Sequence, residues 1–166
     1  MNTIYQASIE TQLGTVTIDS DGEAITRVAF GQPNLNTARE CNVLNEAVQQ
    51  LSDYFAGHRE HFKLPLRPQG TEFQRKVWRS LEAIPYGKLV SYGDIANTIG
   101  NPKGVRAVGM ANSKNPIGII IPCHRVIGVN RTLTGYAGGL DKKEKLLRLE
   151  GCWPPQFAMN FGNSDT

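Results

Sequence analysis

Polar and apolar side chains alternate along residues 3–30, as in Thr15-Val16-Thr17-Ile18 and Ile25-Thr26-Arg27-Val28-Ala29-Phe30, with Asp21-Gly22 between them. Period-two alternation broken by turn residues predicts an antiparallel hairpin or meander. Val43, Leu44, Ala47, Val48, Leu51 and Phe55 then recur at helical spacing as far as Gly57, and Phe62-Lys-Leu-Pro-Leu66 reads as a strand. The N-terminal third is therefore a small α+β unit, and Arg67-Pro68-Gln69-Gly70 is the candidate linker.

From Thr71 the pattern turns helical. Thr71 and Gln74 form a T-x-x-Q capping box ahead of the stripe Phe73, Val77, Leu81 and Ile84, which Pro85-Tyr86-Gly87 stops. Ser91 can cap a second helix through Ile95, Ala96 and Ile99, ended by Gly100. Asn101-Pro102 predicts a third helix over residues 102–112, with Asn101 as cap and Pro102 at its first position. Two short helices joined by a tight turn make a helix-turn-helix. The third helix carries Lys103 and Arg106 but is otherwise small, with Gly104, Val105, Ala107 and Gly109. Small residues suit either close approach to a nucleic-acid groove or tight helix packing, and pattern alone does not choose.

Ile117-Gly-Ile-Ile-Ile-Pro122 predicts a buried strand whose end delivers Cys123. A glycine-containing loop, 132–139, precedes a helix predicted to start from the D-x-x-E pair Asp141 and Glu144 and to end at Glu150-Gly151. The tail, 152–166, carries no functional signal.

Composition narrows the picture. With 166 residues, 40% of them hydrophobic, the chain can bury a core without metal or disulfide staples. Cys41, Cys123 and Cys152 are widely spaced and lack a C-x-x-C or Cys/His ligand pattern, so neither a metal site nor a disulfide framework is expected. No apolar run approaches the length of a membrane span, and no secretory leader is recognisable, so a reducing cytoplasm is expected. The formal charge of +3 fits a nucleic-acid partner without requiring one.

Cys123 followed at once by His124 and Arg125 suggests an activated nucleophile, because a nearby base or cation favours the reactive thiolate. From position alone an inert buried cysteine is the commoner case, since free cysteine is among the most buried residue types. In an extended segment His124 would face away from Cys123, which makes a bridging water the expected link. Glu150 is a candidate partner for the other imidazole nitrogen, against the plainer reading of a solvated charge.

The segment Ile121-Pro122-Cys123-His124-Arg125-Val126 resembles the active-site motif of the O6-alkylguanine-DNA alkyltransferases, also called methylated-DNA–protein cysteine methyltransferases. The resemblance continues in order through Gly70-Thr-Glu-Phe-Gln74, Ile84-Pro-Tyr-Gly87, Ser91-Tyr-Gly-Asp-Ile-Ala96, Asn101-Pro-Lys-Gly-Val-Arg-Ala-Val-Gly109, Asn115-Pro116, Gly135-Tyr-Ala-Gly-Gly-Leu140 and Leu146-Leu-Arg-Leu-Glu-Gly151. It implies a ribonuclease-H-like α/β domain over 1–68, a winged-helix-like helix-turn-helix domain over 69–151, and the tail.

It also implies a function: direct, irreversible, single-use transfer of an alkyl group from O6-alkylguanine in duplex DNA, with O4-alkylthymine as a further substrate, onto Cys123. Glu150, His124 and a water would activate the thiol, Tyr92 would assist the departing guanine, and Asn115 would tie the recognition helix to the active-site turn. Arg106 would fill the stack of an extruded nucleotide from the minor groove, joined at the DNA by Gln74, Tyr92, Asn101, Lys103, Gly104, Val105, Ala107 and Gly109. Lys114 would meet a phosphate. Val126, Tyr136, Gly138 and Gly139 would line the alkyl pocket. No cofactor or metal is implied, and a monomer is expected. Arg131 stands where the family carries a turn glycine. The alternatives are a non-catalytic alkyltransferase-like damage sensor, which lacks the nucleophile, and a cysteine hydrolase, which would leave Arg106 without a role.

Overall fold

The computed structural model describes residues 4–34, 39–128 and 130–155; most of the tail, 156–166, lies outside them. Strands β1 (Tyr5–Thr11), β2 (Gly14–Ser20) and β3 (Ile25–Phe30) form the expected antiparallel meander in the order β1-β2-β3. Helix α1 (Asn42–Phe55) covers one face, burying Leu44, Ala47, Leu51 and Tyr54 in the same core as Val16, Ile18, Ile25 and Val28.

The outer edge of β3 is not left bare. Ile25 bridges to Leu66 and Val28 bridges to Ile117, each as a single parallel pair. Two separate segments therefore satisfy an edge that would otherwise invite association. The first is the strand expected at 62–66, which forms no ladder. Phe62, Leu64 and Leu66 keep their alternating half-burial, but Pro65 has no N–H to donate, so only its carbonyl is used, by Ile25 N–H at 2.8 Å.

Helix α2 (Glu72–Glu82) starts with both halves of the expected capping box, Thr71 Oγ1 accepting from Gln74 N–H and Gln74 Oε1 accepting from Thr71 N–H. Gly70 is required by close approach, since a Cβ there would lie 2.4 Å from the Trp78 ring. A two-residue strand, β4 (Val90–Ser91), leads into α3 (Tyr92–Thr98), capped by Ser91 with Asp94.

The helix expected over 102–112 is α4 (Val105–Ser113), and its cap is Gly104 instead of Asn101. Asn101 C=O accepts from Gly104 N–H at 2.9 Å, so Asn-Pro-Lys-Gly closes a β-turn in which Pro102 presets the second position. The Pro-at-start signal was real, but it belongs to the turn.

The strand expected at 117–122 is likewise absent. Ile119 has φ 70°, and Ile120, Ile121 and Cys123 N–H groups bond back to Gly118, Ile117 and Ile121 carbonyls. An apolar run marks burial, and here it marks a buried coil that enters the 3-10 turn Cys123–Arg125. A left-handed isoleucine costs on the order of 1–3 kcal/mol and persists only where its surroundings hold it. After the turn, β5 (Val126–Ile127) pairs in parallel with β4. Helix α5 (Leu140–Leu149) begins at Gly139, with no side-chain cap. Asp141 and Glu144 do not cap it; they form exposed i,i+4 pairs with Lys145 and Arg148.

Candidate active site

The centre of the site is a buried carboxylate. Glu150 sits at the C-cap of α5, where the helix dipole disfavours negative charge, and its side chain is excluded from solvent. Among the described residues five donors reach it. His124 Nε2 lies 2.7 Å from Oε2, Tyr54 Oη donates to Oε2 at 2.6 Å, and Arg125 donates through Nε to Oε1 at 2.8 Å and through Nη2 to Oε2 at 3.1 Å. Gly87 N–H adds a fifth contact, to Oε1, at 3.3 Å. Burial alone would raise the Glu150 pKa, but hydrogen bonds from His124 and Arg125 and the positive charge of Arg125 outweigh it and hold the carboxyl well below its usual range. The plain reading of Glu150 as a solvated charge is thus excluded.

His124 is fully buried, and desolvation pushes its pKa down despite the opposing pull of Glu150. A neutral ring donating Nε2–H to the carboxylate leaves Nδ1 with its lone pair. That nitrogen is buried and has no protein partner among the described residues. A neutral imidazole backed by a carboxylate can accept a proton at Nδ1, directly or through one water.

Cys123 opens the 3-10 turn, so His124 is not set opposite it by an extended chain. Burial raises the thiol's pKa, while Asn115 and the charge of Lys143 pull it down. Among the described residues Arg125 serves Glu150 and, through Nη1, the Ile84 carbonyl at 2.6 Å, not the thiol. Asn115 donates through Nδ2 to Ile121 C=O at 2.8 Å and accepts from Ile117 N–H at 3.0 Å, pinning both ends of the coil before Cys123. Asn112, on the inner face of α4, adds a contact to Cys123 C=O at 3.4 Å. The β3 edge contributes too: Val28 N–H donates to Pro116 C=O and Val28 C=O accepts from Gly118 N–H, both at 3.0 Å.

Tyr92, the first residue of α3, donates to Thr134 C=O at 3.1 Å, and burial raises its pKa, so it stays a proton donor. Lys143 Nζ donates to the same carbonyl at 2.5 Å; its fully buried position lowers its pKa to about 8, against a pull upward from Cys123.

A cavity of about 220 Å³ opens beside Cys123, lined by Tyr136 and Gly138 from the 132–139 loop, Gly118 and Ile119 from the coil, and Val28 and Phe30 from β3. Val126, buried in β5, and Gly139, at the start of α5, do not line it. A larger hollow of about 310 Å³ lies behind the site against Tyr86 and Arg125, but Cys123 does not reach it. Arg131 has φ 61°, so an arginine adopts the left-handed conformation that a turn glycine would take.

The outward face of α4 presents Val105, Arg106, Ala107 and Met110, with Gly109 half-buried under Tyr92; Lys103 and Lys114 are exposed at its two ends. Met110, 63% exposed, means this face is less uniformly small than the residues chosen from sequence. Asn101 is exposed beside Gly104, and Gln74 has its side chain in the capping box.

Sequence reasoning missed Tyr54, Asn112, Lys143 and Phe30. Tyr54 was findable, since it continues the α1 stripe three residues after Leu51, and a buried tyrosine needs a partner for its hydroxyl. Nothing local marks the other three.

Among the described residues no His, Cys, Asp or Glu cluster could hold a metal ion, and no helix is long and apolar enough to cross a membrane. Two sequence families match: the ribonuclease-like domain of 6-O-methylguanine DNA methyltransferase over residues 4–68, and its DNA binding domain over 72–152. The Methanosarcina acetivorans methylated-DNA–protein-cysteine methyltransferase is 49% identical, covering 89% of this chain and 99% of its own. The constitutive enzyme of that name from Bacillus subtilis is also 49% identical, covering 88% and 94%. The crystal structure of Mycobacterium tuberculosis OGT in complex with DNA superposes with a TM-score of 0.81 at 43% identity, covering 88% of this chain and 92% of that one. With both halves matched and relatives aligned over nearly their full length, the chain belongs to the 6-O-methylguanine DNA methyltransferase family.

Proposed function

We propose that this protein repairs DNA by moving the alkyl group of O6-alkylguanine onto Cys123, once per molecule. The observation that carries the reading is the buried Glu150–His124 pair, which leaves His124 Nδ1 as a base at the turn that begins with Cys123. The thiol proton passes through a water to Nδ1, and the resulting imidazolium is stabilised by Glu150. The thiolate attacks the alkyl carbon in line, a C–S bond forms, the C–O bond breaks, and its electron pair stays with the purine. Tyr92 supplies a hydrogen bond or proton to the departing base, while Lys143 adds positive charge near the sulfur. The product is a thioether, which water does not cleave, so the protein is consumed.

The DNA-bound M. tuberculosis relative supports DNA as the partner. A lesion inside the stack cannot reach a buried sulfur, so the nucleotide must be extruded. The outward face of α4 would enter the minor groove, with Arg106 filling the vacated stack and Asn101, Gly104, Val105, Ala107 and Gly109 beside it. Lys103 and Lys114 would meet phosphates and Gln74 the backbone near α2. Tyr136 and Gly138 would face the alkyl group. The protein would act as a cytoplasmic monomer, and O4-alkylthymine would be a further substrate.

Titration of the protein into excess duplex carrying one O6-methylguanine tests this. Repaired guanine should equal the protein added, and Cys123→Ser should repair none while still shifting the duplex in a gel. Repair continuing beyond one equivalent would contradict the reading.

A further inference from the structure

The cavity beside Cys123 is closed partly by the N-terminal sheet. Val28 is locked to the active-site coil by backbone hydrogen bonds to Pro116 and Gly118, and Phe30 lies two residues on, hence on the same face of β3. From there its ring reaches the 132–139 loop, where a Cβ on Gly138 would stand 3.1 Å from Phe30 Cδ2 and 2.9 Å from Tyr136 Cε2. The Lys142 ammonium lies 5.7 Å from the Phe30 ring centroid, on its other partner, α5. Among the described residues Phe30 and Tyr136 are the two aromatic rings lining the cavity. Tyr136 is wedged between Gly118 and Gly138, whose Cβ positions would lie 3.7 and 2.9 Å from it, so it has little room to move. Phe30, half-buried on an edge strand, is the wall whose size can change without disturbing the coil that holds the sulfur.

We propose that Phe30, contributed by the N-terminal sheet, sets the largest alkyl group that Cys123 can accept. This rests on alkyl transfer to Cys123 and adds a size limit to it. Shortening Phe30 deepens the cavity toward β3 and admits an aromatic or long-chain adduct; enlarging it excludes such adducts more than a methyl group, which needs little depth.

The test is the second-order rate of Cys123 alkylation by duplexes carrying O6-methylguanine or O6-benzylguanine, in the full chain and its variants. Phe30→Ala should raise the benzyl-to-methyl rate ratio about tenfold and Phe30→Trp should lower it about tenfold, the scale expected when a hydrophobic pocket gains or loses a few carbons. Methyl transfer should change less than benzyl transfer in each variant. Phe30→Leu keeps an apolar side chain on the strand and carries the same test if Phe30→Ala unfolds. Ratios unchanged in both the smaller and the larger variant, with methyl transfer intact, would overturn the size limit. A wild-type protein that neither lesion alkylates at Cys123 would instead remove the functional reading, and the size limit with it.

Discussion

Glu150 and Arg106 are both charged, and their surroundings differ in every respect. Glu150 is buried and held by donors from α1, the 85–87 turn and the 123–125 turn, whereas Arg106 projects from an exposed helix face among small residues. A group that must tune a proton transfer has its geometry fixed before substrate arrives, because reorganisation at the moment of reaction would cost rate. A group that meets DNA can wait for its partner to order it. The difference should therefore appear as strong coupling to stability in one region and almost none in the other.

Substitutions in the two regions should have opposite consequences. Cys123→Ser should abolish transfer altogether and leave folding and duplex binding in place, as read by repair assay, thermal melting and gel shift. Glu150→Ala should cost about 3–5 kcal/mol in urea unfolding, because it strands the Arg125 guanidinium in the interior. Adding Arg125→Met should recover part of that loss; no recovery would mean the pair is not what holds the region. Tyr54→Phe removes one donor and should cost about 1–2 kcal/mol. Arg106→Ala should change stability by less than about 0.5 kcal/mol, as for an exposed side chain, yet slow repair in duplex far more than reaction with free O6-benzylguanine. Equal slowing on both substrates would contradict its placement in the stack.

Acid should act on the same buried region. The folded state lowers the proton affinity of His124, so its contribution is complete above its ordinary value of 6.5 and is lost as pH falls below it. Glu150 is also lowered, so its contribution is complete above 4.5 and lost as pH falls toward its folded value. Melting temperature should therefore decline in two stages on acidification, and Glu150→Gln should lack the second.

The sequence carried much of this because its strongest signals are local. The alternation of β1–β3, the stripe of α1, the capping box at Thr71 and the cap at Ser91 all act within a few residues. Misreadings arose where one pattern serves two structures: Asn101-Pro102 opens a turn as readily as a helix, and the apolar run 117–122 suits a buried coil as readily as a strand. Cys123, His124 and Glu150 were legible through their chemistry and family motif. Tyr54 is 96 residues from Glu150 in sequence, and Phe30 meets the cavity only because a bridge at Val28 docks β3 on the coil. Such contacts depend on tertiary pairing, which no local pattern encodes.

Alkyl transfer to Cys123 is read most directly by intact-protein mass spectrometry with peptide mapping after incubation with excess duplex containing one O6-methylguanine. One added methyl group per protein is expected, located on Cys123, with no further change on longer incubation. An unmodified protein that nonetheless binds the lesion, or a methyl group on another residue, would contradict it.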